Sequence, residues 1–205
     1  MLVEIHKDSP QARKLAQVVE VLENDGVVIF PTEATYVFAC AIESKKAMKR
    51  IEALKPTDKH KPFTFVCSGP SQFEQYTKGI PTPLFRKIRS LIPGPYVFIF
   101  EASKLIPKVL LTPRSTVGVK MPNSPIALGL AEAMNRPIVT SSLPLQPDQD
   151  IWYPWSIEEE YGRLVDLIVD GGDLTIAESS VLDFSVDPPQ IIRAGVGDLS
   201  WLEEY

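Results

Sequence analysis

Four short polar clusters carry the residue types that hold phosphate: Pro31-Thr32-Glu33 with Tyr36, the run 55–61, Thr140-Ser141-Ser142, and Ser179-Ser180-Val181 followed by Arg193. Hydroxyls donate hydrogen bonds, and lysine and arginine neutralise charge without titrating near neutral pH, which is what a polyphosphate requires. Each cluster sits at an end of a β-prone run, and open α/β sheets bind ligands at strand ends. Taken singly, each cluster also has a plainer use. Lys55 falls at the end of a predicted helix, where a lysine favours the helix dipole. Thr32, Ser141 and Ser180 can bond local backbone as turn or cap residues, and Arg193 can pair with one of the many C-terminal carboxylates. The chain has no GxGxxG, GxxxxGK[ST] or HExxH run, which excludes the standard phosphate loops and the zinc-protease helix.

The elements that must position these clusters alternate between helix and strand. A first helix is predicted with Ser9 as N-cap and Pro10 at its first position, Leu15, Val18, Val19 and Leu22 on one face, and Gly26 beyond its end. Apolar runs at 27–30 and 35–42 predict two strands joined through the first polar cluster. Ser44 caps a helix that runs to Leu54 and is stopped by Pro56. A strand at 63–67, helices at 71–76 and 83–91, a Pro93-Gly94-Pro95 turn and strands at 96–100 and 116–121 follow. Ile126, Leu130 and Met134 mark a helix over Pro125–Met134, leading into a strand at 138–141. Residues 143–154 read as a surface loop or lid, Ser156 and Glu159 as a capping box, and 167–169, 180–184 and 190–193 as three more strands. Such interleaving with short connections predicts an α/β fold with a mixed parallel and antiparallel twisted sheet flanked by helices.

Composition bounds the partners. The 205 residues carry a net charge of −5, but residues 1–122 hold 18 Lys and Arg against 11 Asp and Glu, whereas 123–205 hold 3 against 15. Interleaving on folding is the plain expectation, and a cleft can still focus positive potential on an anion. Cys40 and Cys67 stand in apolar stretches without Cys or His partners, so neither disulfide nor zinc is expected. No apolar run reaches the roughly 18 residues that span a bilayer, and the opening MLVEIHKDSP lacks the basic n-region and apolar h-region of a signal peptide. One cytoplasmic domain over 1–205, with no membrane partner, is the expectation. Trp152, Tyr153 and Trp155 could serve as an oligomer contact, a lid, or part of the core.

Together and in order, these segments resemble the YrdC superfamily over most of the chain. Pro31-Thr32-Glu33…Tyr36 resembles its PTDTVYGL, Lys55…Lys61-Pro62 its KGRP…KPL, and Pro93-Gly94-Pro95 its PGP[LY]T. Val117 to Pro122 is similar to VAVRVP, Thr140-Ser141 to STSAN, Ser179 to Asp183 to STVVD, and Ile191 to Gly195 to ILRPG. The resemblance implies a large concave positive cleft and binding of nucleotides, with double-stranded RNA or tRNA as a further partner. It also implies the condensation of ATP, L-threonine and bicarbonate to threonylcarbamoyl-AMP, a precursor for tRNA modification. By that resemblance Lys55 is the catalytic, phosphate-contacting residue. Lys61, Ser141, Ser179, Ser180 and Arg193 bind the nucleotide, and Thr32, Tyr36 and Lys120 shape the small-substrate pocket. ATP is then a substrate accompanied by magnesium, and no tightly bound cofactor is implied.

Departures from the pattern point to the YciO branch. Thr57 replaces the arginine of KxR, Leu143 the asparagine of SxN, Lys120 the arginine of VxRxP, and Ala34 and Val97 two threonines. Each lost donor in a preorganised site removes a few kcal/mol of transition-state stabilisation, by analogy with oxyanion-hole deletions at roughly 2.7–4 kcal/mol. Weak or altered turnover, or a non-catalytic RNA-binding module, are the two outcomes that remain open.

Overall fold

The structure, a computed structural model, describes residues 1–55 and 62–204. Lys61 and Thr57, with the rest of the basic run 56–61, lie outside the described residues. The first half of the chain forms β1 (Leu2–Glu4), α1 (Ala12–Glu23), β2 (Val28–Pro31), β3 (Tyr36–Ala41), α2 (Lys45–Ala53) and β4 (Thr64–Val66). Next come α3 (Pro70–Tyr76), α4 (Thr82–Leu91), β5 (Tyr96–Glu101), β6 (Thr116–Lys120), α5 (Pro125–Met134) and β7 (Ile138–Ser142). The C-terminal part adds β8 (Ile151–Trp152), α6 (Pro154–Tyr161), β9 (Leu167–Asp170), β10 (Leu174–Thr175), β11 (Ser180–Asp183) and β12 (Gln190–Arg193).

Ten strands make one sheet in the order β1-β9-β2-β3-β7-β4-β6-β5-β11-β12, and β8 with β10 forms a separate antiparallel ribbon. Four parallel pairs (β1 with β9, β9 with β2, β4 with β6, β5 with β11) are interspersed with five antiparallel ones, so the sheet is mixed as the short connections predict. Because side chains alternate along a strand, residues in register share a face. One face carries Val37, Ala39 and Ala41 of β3, Ile138 and Thr140 of β7, then Thr64, Gly118, Ile99 and Val181 in turn across β4, β6, β5 and β11.

Helices α1 and α5 cross this face over β2, β3 and β4, burying Leu15, Val18 and Leu22 against Ile126, Leu130 and Met134. They leave its β6-β5-β11 end uncovered. The opposite face is covered along its length: α2 lies on β3, α6 on β9, and Phe73, Leu84 and Ile88 of α3 and α4 pack with Phe98 and Phe100.

Three local expectations are corrected. The first helix starts at Ala12 with Gln11 as N-cap, not at Ser9, because the amides of Asp8 and Ser9 donate to His6 Nδ1 and hold a turn there. Ser156 caps nothing: α6 starts at Pro154 with Tyr153 as N-cap, and the Ser156 hydroxyl donates back to Tyr153 O at 2.8 Å. Within 143–154, β8 pairs with β10, so part of the expected loop is strand. Ser44 does cap α2, accepting from the Ala47 amide at 3.1 Å.

Candidate functional site

The uncovered end of the sheet face is the floor of a cleft of about 860 Å³. Strand alternation explains its character. Tyr96, Phe98, Val117, Val119 and Leu182 point to the core on the far face, so Val97, Ile99, Gly118 and Val181 line the cleft. Gly118 keeps the floor low, since a Cβ there would stand 3.2 Å from Val97 Cγ1. The segments 143–145 and 176–179 form the rim.

Lys55 follows Leu54, the C-cap of α2, and reaches the end of β7, where its Nζ donates to Ser141 Oγ at 2.6 Å. Both residues are buried on the cleft wall. On the other side Arg193 donates from Nε to the carbonyl of Ser179 at 3.0 Å and from Nη1 to Glu178 Oε1 at 2.9 Å. Lys120 stands between, with Nζ 3.3 Å from Glu33 Oε1 and its side chain only 9% exposed. Burial pulls the Lys120 ammonium below the usual lysine value and Arg193 pulls the same way, while Glu33 pushes back. The second oxygen of Glu33 is buried without a hydrogen-bond partner.

Lys55, Ser141, Ser179, Lys120 and Arg193 all line this one cleft. Three predicted residues lie behind its wall instead. The Ser180 hydroxyl is fully buried, donating to Gly197 O at 2.8 Å and accepting from the Gly195 amide at 3.1 Å. A Cβ at Gly195 would fall 2.1 Å from Glu178 O, so only glycine permits this close approach. Thr32 closes its own turn, donating to Thr35 O and accepting from the amides of Ala34 and Thr35. Tyr36 is fully buried, its hydroxyl bonded to Gly172 O and the Gly171 amide, and burial pushes its phenol far up.

Sequence reasoning missed Arg114, Thr112 and Thr116, which also line the cleft. They precede or open β6 in no motif, and only the fold brings Asp183 to Arg114, at 2.8 Å. Trp152 is buried and donates from Nε1 to Thr35 Oγ1 at 2.9 Å, fixing the ribbon to the cleft wall. Trp155 and Tyr153 are exposed and stack on each other outside.

A ten-stranded mixed sheet with helices over only part of one face, and cations standing over the bare part, defines the class: an α/β cleft protein of the YrdC type. The chain belongs to the Sua5/YciO/YrdC family, whose model, described as "Telomere recombination", matches residues 20–195. It is 36% identical over 198 residues to the uncharacterized protein YciO of Escherichia coli, covering 95% of each chain. The crystal structure of E. coli YciO superposes with a TM-score of 0.90 at 35% identity, over 98% of both chains. The threonylcarbamoyl-AMP synthase of Pyrococcus abyssi is 30% identical over 179 residues, covering 87% of this chain and 53% of that one. The crystal structure of P. abyssi Sua5 complexed with L-threonine matches with a TM-score of 0.85 at 26% identity, covering 95% of this chain and 57% of that one. The chain thus spans about half the length of these synthases. Among the described residues no helix is long and apolar enough to cross a membrane.

Proposed function

We propose that the cleft binds a nucleoside triphosphate, and that the protein is a relative of the threonylcarbamoyl-AMP synthases with weak or altered turnover. The observation that carries this reading is the buried Lys55–Ser141 contact on the wall of a cavity large enough for a nucleotide. The Lys55 ammonium and the Ser141 hydroxyl are positioned to receive phosphate oxygens, with Ser179 and Arg193 across the floor. Magnesium would arrive on the phosphates, since no three His, Cys, Asp or Glu side chains converge among the described residues. Its chemistry there is to neutralise charge building on the leaving pyrophosphate.

Slow turnover follows from the cations' partners. Lys120 is a single-point donor already held by Glu33, and Arg193 must exchange Glu178 for a ligand before it can grip one. The same pairing favours a compact nucleotide over a long polyanion. Arg114, Lys120 and Arg193 each have a carboxylate beside them, so the local field is small where an RNA duplex would need a broad one.

A thermal-shift series tests the reading. ATP with magnesium raises the melting temperature, and Lys55→Ala abolishes the rise. Pyrophosphate release with ATP, threonine and bicarbonate is slow and depends on Lys55. An equal ATP shift in wild type and Lys55→Ala overturns nucleotide binding at this end. A double-stranded RNA that binds with a steep salt dependence while ATP does not would favour the non-catalytic module instead.

A further inference from the structure

The far end of the cleft carries donors that Lys55 and Ser141 do not share. Arg114 precedes β6 and donates from Nη2 to Asp183 Oδ2 of β11 at 2.8 Å. Asp183 is fully buried, and its other oxygen accepts from the Ser185 amide at 2.9 Å and the Ser185 hydroxyl at 2.6 Å. Both oxygens are therefore committed, and the carboxylate acts as an anchor. A guanidinium has five N–H groups. One is bound to Asp183, and the head of Arg114 stands half-exposed on the cleft wall.

Thr112 and Thr116 line the same wall. Their hydroxyl oxygens lie 2.7 Å apart, and the Thr116 amide donates to Thr112 Oγ1 at 3.0 Å. Two hydroxyls own two hydrogens, and only one can lie between the oxygens. Whichever residue donates, one O–H is left over. A fixed guanidinium fork beside a spare hydroxyl donor is the donor set of an oxyanion site.

This end is also distant from the other. Lys55 is bound at β7, and Arg114 is anchored on β11, four steps away across β4, β6 and β5. At about 4.8 Å per step the two anchors are roughly 19 Å apart along the sheet, and Thr116, on β6, stands roughly 10 Å from β7; both exceed what one triphosphate chain bridges. Between them lies the apolar floor of Val97, Ile99 and Gly118.

We infer that Arg114 and the Thr112–Thr116 hydroxyl pair form a second oxyanion subsite, one that takes a phosphate-sized anion while a nucleotide occupies the Lys55 end. The simultaneous occupancy rests on the nucleotide reading; the donors of the second subsite do not.

The test uses inorganic phosphate as the probe, with chloride at equal ionic strength as reference, in a thermal-shift series with and without saturating ATP and magnesium. Ligands at separate sites contribute independently. Phosphate is expected to raise the melting temperature further in the ATP-saturated protein. Arg114→Gln removes that increment and leaves the ATP increment in place, whereas Lys55→Ala does the reverse. Arg114→Lys keeps the charge without the fork and weakens phosphate about tenfold, which serves as the second variant if Arg114→Gln melts without cooperativity. The inference is overturned if phosphate adds nothing once ATP is saturating, because the two then share one site. It is equally overturned if both Arg114 variants keep the full increment, because phosphate then acts only through bulk solvent. An Arg114-dependent phosphate shift without any Lys55-dependent ATP shift keeps the subsite and removes the nucleotide reading.

Discussion

Ala39, Ala41 and Ile138 occupy the same face of the sheet as Gly118, Ile99 and Val181, yet among the described residues the first group lies under two helices and the second under none. Chain connectivity makes the difference. After β6 the chain crosses back over β2 and β4 as α5, where it meets α1. The helices that precede β5 are committed to the other face, and the 102–115 link between β5 and β6 forms only a single 3-10 turn at Lys108–Leu110. Among the described residues nothing covers the second half, whose floor is the low Gly118 between Val97, Ile99 and Val181. The cleft floor is a core face that no described connection roofs.

The comparison can be broken at either end. The largest effect is expected under the roof. Leu130 is fully buried between the helices and the sheet, so Leu130→Ala should lower unfolding free energy by about 2–5 kcal/mol in urea titration. A smaller loss is expected at the anchor beneath the open half. Asp183→Asn weakens the bonds to Arg114 and Ser185 and should cost about 1–3 kcal/mol at neutral pH. Burial pushes the Asp183 carboxyl up, but the Ser185 bonds and Arg114 outweigh it and hold it below the usual aspartate value. Its contribution is therefore full above the unfolded aspartate pKa and lost as pH falls through the depressed folded value, and Asp183→Asn should flatten that acid limb.

On the floor itself, Gly118→Val should change stability by less than about 1 kcal/mol, because a β-branched residue suits a strand and Val97 has to shift only slightly. Nucleotide affinity by calorimetry should nevertheless fall about tenfold, a separation of binding from stability that no substitution under the roof would give. The smallest effect belongs to Trp155→Ser, within about 0.5 kcal/mol, since that ring is 63% exposed and stacks only on Tyr153. A change of solution mass in this variant would reveal the aromatic pair as a subunit contact.

Periodic and capped elements were readable because their causes are local. Ser44 bonds three residues ahead, and α5 matches its apolar spacing residue for residue. β1 was not readable: three residues become a strand only because β9 lies beside them. Ser9 failed as a cap because a histidine three residues back captured its amide. The site divides along the same line. Lys55, Ser141 and Arg193 belong to segments that resemble family motifs, whereas Arg114 acquires its place from a carboxylate 69 residues away. Ser180, Thr32 and Tyr36 carry suitable groups, but backbone partners claim them, and no linear pattern announces that.

The order of strands also constrains how the molecule comes into being. β9 lies between β1 and β2, and β7 between β3 and β4, so neighbours in the sheet are far apart along the chain. Contacts of high sequence separation slow folding, because loop closure precedes any reward. While the chain emerges from the ribosome, β2 and β3 can pair early as a hairpin, but their apolar flanks stay unmatched until residues 138–170 have been made. The N-terminal hairpin is therefore the segment that a nascent-chain holdase would shield. The cleft, whose walls come from Lys55, just past α2, and from β12 alike, is completed last.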